Sequence, residues 1–249
     1  MKKFFIGILL AIIALNGYSQ RGGAPNWISI AAKGCYGNSV FFCKQATDID
    51  GFNINYLAPS YGFGGRLGVV FIDRVGASVE YLSSQYQGKY DYNNSIIDLE
   101  GTLKMKASDL LLLFRYTGEY GFYCELGPKF TSVKDVTRDV ETPDNSGKLK
   151  GPKISSVVKD DFKDKFTSVV FGFGFMPYNG DRVQISLGIR AAYCGKSVVN
   201  DDQNDVLHLV KPMTIEMKPF SAQAVLEVNY HFARFGSATC GKQKIIFFK

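Results

Sequence analysis

Apolar and polar residues alternate along much of this chain. In the segment VQISLGIRAAY (183–193), Val183, Leu187 and Ile189 share one parity, while Ser186 and Arg190 share the other. A period of two residues predicts a β-strand with one apolar and one polar face. Two kinds of protein use such a strand: a soluble protein that buries the apolar face, and a membrane barrel that turns it towards lipid.

The same alternation predicts eight strands, and their connections indicate which kind of protein this is. The eight segments are 27–36, 60–72, 75–82, 108–117, 121–131, 166–175, 183–193 and 218–232. Short turns near residues 73 and 119 and at 177–182 alternate with long polar loops at about 37–57, 88–106, 134–165 and 194–217. Outer-membrane barrels have this asymmetry, whereas a soluble lipocalin-like barrel joins most of its strands by short hairpins. We therefore expect an all-β fold, an eight-stranded antiparallel transmembrane β-barrel with short periplasmic turns and long extracellular loops.

Two segments complicate this count. Leu103 and Met105 are apolar on the parity opposite to Leu110 and Phe114, and a β-bulge near Lys106 would reconcile them. Because the preceding QYQGKYDY also has an extended pattern, the third and fourth strands are expected to continue above the membrane as a projecting hairpin. A ten-stranded barrel, which would recruit ISSVV from the third loop, is the alternative.

The N-terminus predicts export. Residues 1–19 combine two lysines, an apolar run and small residues before a cleavage site after Ser19, as in a signal peptide. The apolar run is shorter than the roughly 20 residues of a membrane-spanning helix. The expected domains are a signal peptide (1–19), an outer-membrane barrel (20–232) and a basic periplasmic tail (233–249).

Charge and cysteine content narrow the function classes. The formal net charge of +6 falls by two when the signal peptide is removed, and the basic tail accounts for the remaining +4. The body is therefore nearly neutral, and a nucleic-acid partner is not expected. The five cysteines are widely spaced and include no CxxC motif, so they form no recognisable disulfide framework or zinc site. Cys35 with Cys43 is the most plausible local bridge.

Charged residues on the polar parity are expected to converge in the lumen. An eight-stranded barrel is only wide enough for side chains to fill, and buried charges must pair. We therefore predict a plug of salt bridges that closes the pore. Its members are Arg66, Glu80, Asp109, Arg115, Glu125, Lys129, Arg190 and Glu227.

Catalytic, cofactor and metal motifs are weak. The glycine-rich YGFGGRLG lacks the lysine-serine ending of a phosphate-binding loop, and TDIDGFNIN lacks the terminal glutamate of a calcium loop, so no cofactor, metal or catalytic residue is expected. His208, which follows an acidic cluster, leaves an outer-membrane hydrolase (protease or lipid deacylase) as an alternative. A soluble periplasmic carrier of the lipocalin type is a second alternative, and it would need an apolar lumen.

Several runs resemble a known family. The signal ending in Ser-Gln, the Gly-Phe-Gly-Phe and LGIRAAY runs and the last strand AVLEVNYHF resemble PorT-like outer-membrane barrel proteins of Bacteroidota-type bacteria, which are similar in architecture to OmpA-type barrels. The resemblance covers residues 20 to about 232 and implies location and fold more than activity; some relatives are linked to protein secretion. Such barrels usually end on an aromatic residue, but this chain continues past Phe232, so either Phe232 or Phe248 could be the assembly signal.

These observations together lead to one expectation about function. The protein is expected to be a monomeric, non-enzymatic barrel of the Gram-negative outer membrane, in contact with membrane lipid. Its long loops would serve binding, or the assembly or secretion of other proteins. The third loop, with the sequence DVTRDVETPDNSGKLKGPKISSVVKDDFKD, offers the largest surface for a protein partner.

Overall fold

The computed structural model describes ten segments of the chain: residues 26–43, 52–55, 57–72, 74–93, 98–118, 120–141, 153–180, 182–200, 216–237 and 243–247. The predicted signal peptide and His208 lie outside them. Within these segments no helix is long and apolar enough to cross a membrane. The strands are β1 (Asn26–Cys43), β2 (Phe52–Asn55), β3 (Ala58–Ile72), β4 (Val75–Asn93), β5 (Asp98–Thr117), β6 (Phe122–Glu141), β7 (Lys153–Val157), β8 (Lys165–Asn179), β9 (Val183–Tyr193), β10 (Met217–Ser237) and β11 (Gln243–Phe247).

Eight of these strands close into a ring. They pair in the order β1-β3-β4-β5-β6-β8-β9-β10, and β10 pairs back onto β1 from Cys43↔Met217 to Asn26↔Phe235. Every pairing in the ring is antiparallel. The predicted fold class, an eight-stranded antiparallel barrel, is confirmed.

The two ends of the barrel differ as predicted. Three tight connections, at residues 73–74, 118–121 and 180–182, lie at one end, which we call the turn end. At the other end, the loop end, β4 and β5 stay paired as far as Asn93↔Asp98, so the projecting hairpin is confirmed and most of the expected loop at 88–106 is strand. The two strands contain 19 and 20 residues, about twice the length needed to cross a bilayer.

Short strands widen this projection. The segment β2 pairs with β4, and β7 pairs with β6, so that β2, β4, β5, β6 and β7 form one five-stranded extension sheet beyond the barrel. The ISSVV segment that a ten-stranded barrel would recruit falls in β7 and the residue after it. Because β7 is paired with β6 alone among the described strands, it lies outside the ring, and the ten-stranded alternative is wrong.

The apolar parity of the strands faces outwards. In β9, Leu187 and Ile189 are 38% and 53% exposed, whereas Ser186 and Arg190 are buried inside the ring. The same outward apolar face runs along β8, where Val169, Phe171, Phe173 and Phe175 are all exposed. The interior therefore carries the polar parity, as a membrane barrel requires.

The interior changes character towards the loop end. Leu103, Met105 and Ala107 are buried on the same parity of β5 as Asp109, and they belong to an apolar cluster with residues of the other strands. The alternation of β5 is thus unbroken, so its interior face does not switch sides. A register shift does occur near Lys106, as predicted, but its extra residue lies on β6, because Lys106 pairs with Asp135 whereas Ala107 pairs with Val133.

Strands β1 and β10 bear on two further expectations, the disulfide bridge and the end of the last strand. Cys35 and Cys43 both lie in β1 and form no disulfide with each other, because eight residues of extended strand separate them by about 26 Å, so the expected bridge is wrong. The strand β10 passes residue 232 and continues to Ser237, where β11 folds back and pairs with it.

Candidate functional site

The strand register sets charged side chains side by side in the lumen. Arg66 on β3 lies opposite Glu80 on β4, and Arg115 on β5 lies opposite Glu125 on β6. Arg190 on β9 lies two strands beyond Glu125 in the ring, with Gly172 of β8 between them. Opposite charges directly across a strand pair stabilise the pairing. The strand register therefore brings the first oppositely charged residues together.

Three glutamates and four cations form one buried cluster, which we call the lumen network. Glu227 is the centre: its carboxylate oxygens lie 2.7 Å from Nζ of Lys33 and 2.8 Å from Nη1 of both Arg66 and Arg115. No side chain in the network is more than 7% exposed. Its members are Lys33, Arg66, Glu80, Arg115, Glu125, Arg190 and Glu227.

The other two glutamates connect the network across the barrel. Glu80 accepts hydrogen bonds from Nζ of Lys33 at 2.6 Å and from Nη1 of Arg190 at 2.9 Å. Glu125 accepts one from Nε of Arg190 at 2.9 Å and one from Nη2 of Arg115 at 3.0 Å. Each carboxylate therefore has at least two cationic partners, the condition under which buried charges are tolerated.

Lys33 is the member of the network that was not predicted from the sequence. It lies on β1 between Ala32 and Gly34, on the parity opposite to the apolar residues Ile28 and Ile30. The signal was present, because a lysine on the polar parity of a predicted strand belongs in the lumen by the same rule that selected the other charges. Its side chain is fully buried between Glu80 and Glu227.

Two of the predicted residues belong to a separate cluster nearer the loop end. Asp109 accepts hydrogen bonds from the hydroxyl groups of Tyr86 and, at 2.6 Å, Thr131. Nζ of Lys129 donates to the Tyr86 hydroxyl at 3.1 Å and lies 4.7 Å from the centre of its ring. Tyr86 thus links Asp109 to Lys129, a role that no alternation pattern indicates.

Glycines make room for these side chains. A Cβ atom added at Gly172 would lie 2.8 Å from Oε1 of Glu125, and one added at Gly68 would lie 3.0 Å from Nη2 of Arg66. Both distances are tighter than ordinary van der Waals contact. The glycine-rich runs therefore serve the packing of large charged side chains in a narrow barrel.

Apolar packing closes the interior above the charges. Phe41, Tyr86, Met105, Val136 and Met217 belong to one buried cluster towards the loop end. The two cavities next to this cluster measure about 10 and 30 Å³, and the smaller of these volumes is about what one water molecule needs. The arrangement can hold the barrel in shape, and it leaves little room for a continuous column of water.

Of the two histidines, the structure describes His231. Its ring packs against Trp27 near the turn end, with the ring centres 5.3 Å apart. His208, on which the hydrolase alternative depends, lies outside the described residues, so that alternative stays a prediction.

Comparisons with known proteins give matches at the level of solved structures. No protein-family model and no curated protein sequence matches the chain. Neisserial surface protein A is 13% identical with a TM-score of 0.34, and the match covers 81% of this chain and 96% of that one. The outer membrane protease OmpT from Escherichia coli is 12% identical with a TM-score of 0.39, covering 86% and 98%. The attachment invasion locus protein Ail of Yersinia pestis is 12% identical with a TM-score of 0.30, covering 83% and 99%. Similarity at this level does not extend to a shared activity.

Proposed function

We propose that this protein is a non-conducting, non-enzymatic barrel of the outer membrane, which anchors an extracellular sheet for binding another protein. The observation that carries the proposal is the inversion of the fold, with apolar side chains outside the ring and ion pairs inside it. A soluble protein with Phe63, Phe171 and Phe173 each more than half exposed would present a large apolar surface to water. In lipid the same surface is favourable.

The lumen argues against the carrier alternative. A soluble carrier of apolar ligands needs an apolar cavity, but the centre of this barrel is occupied by the seven charged side chains of the lumen network. The same network, with the apolar cluster above it, favours a closed barrel over a pore. Purified protein should therefore give little or no steady conductance in planar bilayers, with a general porin as the positive control. Large ion-selective openings would refute the closed lumen.

The extension sheet is the proposed binding surface. Its edge strand β7 has one strand neighbour among the described residues, β6, and Ile154 and Val157 on β7 are 57% and 72% exposed. An edge strand with exposed apolar side chains can accept a further strand from a partner. The resemblance to PorT-like barrels supports a partner of the protein assembly or secretion class.

Surface labelling tests the orientation on which this function depends. Val157→Cys should react with a membrane-impermeant maleimide on intact cells. Tyr120→Cys, in the turn between β5 and β6, is a matched control because Tyr120 is 88% exposed at the opposite end. It should react only after the outer membrane is permeabilised, and the parent chain gives the background from native cysteines. The reverse pattern, or recovery of the protein in the soluble periplasmic fraction, would refute the proposal.

A photo-crosslinking residue tests the binding surface itself. Placed at Val157, it should capture a distinct protein partner in cells, whereas the same residue at Tyr120 should not capture that partner. If both positions give the same products, the extension sheet has no special role in binding.

A further inference from the structure

The turn end of the barrel contains a cavity of about 200 Å³, and its charged lining is entirely basic. Arg66 and Arg115 form its floor on the lumen side, and Arg74 and His231 lie in its wall. No aspartate or glutamate is among the described residues that line it. This volume is many times the roughly 10–15 Å³ that one water molecule needs, so an anion with some of its hydration shell fits.

The lumen network as a whole has one more cation than it has carboxylates. The network has four cations (Lys33, Arg66, Arg115, Arg190) and three carboxylates (Glu80, Glu125, Glu227). Arg66 and Arg115 place their Nη1 atoms 2.8 Å from the same oxygen, Oε1 of Glu227. Two guanidinium groups therefore share one carboxylate oxygen directly below the cavity.

One guanidinium of the lining has an unused hydrogen-bond donor. Arg66 makes its two hydrogen bonds, to Glu227 and Asn229, through Nη1. Its Nη2 makes no hydrogen bond to the described residues, and Arg66 lines the cavity. Because a guanidinium nitrogen can only donate, this position on the floor favours a ligand that accepts hydrogen bonds.

We propose that this cavity binds a phosphate group that enters from the turn end. Arginine presents a planar fork of donors that matches phosphate oxygens. The hydroxyl groups of Ser29 and Thr117 and the amide nitrogen of Asn179 supply further donors around the same space, whereas Nε2 of Gln184 already donates to Asn179 and Met176. A carboxylate would offer two oxygens to these donors, whereas a phosphate group offers three or four. The inference concerns binding alone, and it does not depend on the membrane location or partner proposed above.

The chain carries its own reporter for this site. Trp27 is the only tryptophan in the sequence, it lines the cavity, and its ring packs on that of His231. Refolded protein in a maltoside detergent, which contains no phosphate, is titrated with inorganic phosphate while Trp27 emission and the heat of binding are recorded. Both should change with the same saturable midpoint, and sodium chloride at equal ionic strength should not reproduce the change. No heat and no emission change in folded protein, or an equal response to chloride, would overturn the proposal.

Arginine variants at the rim locate the site. Arg74→Gln should weaken phosphate binding by about tenfold, the loss expected for one charge-assisted hydrogen bond. Arg182→Gln removes the same charge from another turn at this end. Arg182 does not line the cavity, and its bond with the lining runs from the His231 amide to its own backbone carbonyl, which the substitution keeps, so the midpoint should change less than twofold. Equal weakening by both variants would show diffuse attraction to a basic rim and refute a site. His231→Gln, which also avoids the lumen network, should weaken binding as well.

The phosphate group could belong to a soluble molecule or to a lipid headgroup. Short-chain phosphatidic acid in the same detergent separates the two sources. If it binds more tightly than inorganic phosphate, and Arg74→Gln weakens both, the site takes a lipid headgroup. If it binds no better, the site takes a soluble phosphate compound. If Arg74→Gln affects neither ligand, the proposal fails.

Discussion

Replacing the central glutamate of the lumen network should destabilise the barrel strongly. In Glu227→Gln, the side chain keeps its volume but loses the charge that lies 2.7–2.8 Å from Lys33, Arg66 and Arg115. Each of these cations retains one other carboxylate: Lys33 keeps Glu80 at 2.6 Å, Arg115 keeps Glu125 at 3.0 Å, and Arg66 keeps a weaker contact at 3.8 Å. No cation is left without a carboxylate, so we expect the free energy of unfolding to fall by the cost of breaking one buried ion pair, about 3–5 kcal/mol.

Urea unfolding in lipid vesicles measures this cost, with Trp27 emission and heat-modifiable migration on gels as two independent readouts. Asp135→Asn is the matched control. Its partner Lys106 is 3.9 Å away and the two side chains are 38% and 62% exposed, so the loss should be at most about 1 kcal/mol. Equal losses in Glu227→Gln and Asp135→Asn would refute the reasoning that burial makes the lumen charges interdependent.

A double variant tests whether charge balance is the cause. Glu227→Gln raises the net charge of the lumen network from +1 to +2, because four cations then face two carboxylates. Adding Lys33→Met returns the count to three cations and two carboxylates. The double variant should therefore recover on the order of 1–3 kcal/mol relative to the single variant. If it is less stable than Glu227→Gln alone, the loss comes from packing and not from charge.

Further predictions concern the barrel wall and the chain end. Leu187→Arg, on the exposed apolar face, should cost about 2–4 kcal/mol near the bilayer midplane and reduce outer-membrane assembly, whereas Leu187→Phe should assemble normally. Gly172→Val should lower the stability measured by urea unfolding by about 1–3 kcal/mol through crowding of a lumen carboxylate, but Gly34→Val, where a Cβ meets nothing within 4 Å, should not. A chain that ends at Ser237 lacks β11 and Phe248; failure to insert would place an element needed for assembly within residues 238–249, and normal insertion would exclude Phe248 as the assembly signal.

The barrel is well predicted by the sequence because alternation is a local property. A strand such as β9 shows by its own residues which face is apolar, and the spacing of turns and loops shows which ends are joined closely. Neither inference needs a contact between distant residues. The strand count, the outward apolar face and the asymmetry of the two ends therefore all follow from the order of residues along the chain.

The interior of the barrel is harder to predict from the sequence, because interior side chains of the same strand can lie among charges at one end and among apolar residues at the other. Along β5 the interior positions run from Leu103 and Met105 to Asp109 and Arg115 without a change of parity. In the sequence alone, the apolar pair indicates a switch of face and therefore a bulge. The strand instead extends beyond the length needed to span a bilayer, and its interior side chains meet other apolar residues at the loop end. The extra length of the strand, and not a switch of face, explains why its interior side chains change from apolar to charged.

Partner choice within the lumen network depends on closure of the ring. Arg66 on β3 and Glu227 on β10 are separated by 161 residues in sequence, yet their side chains lie 2.8 Å apart. Glu227 also contacts Lys33 on β1, the strand that pairs with β10 to complete the barrel. These contacts form only when the first and last strands meet, and an open sheet would leave the glutamate with fewer cations and more water. The ion pairs across this seam therefore stabilise the closed ring specifically, which explains why so many charges are concentrated beside it.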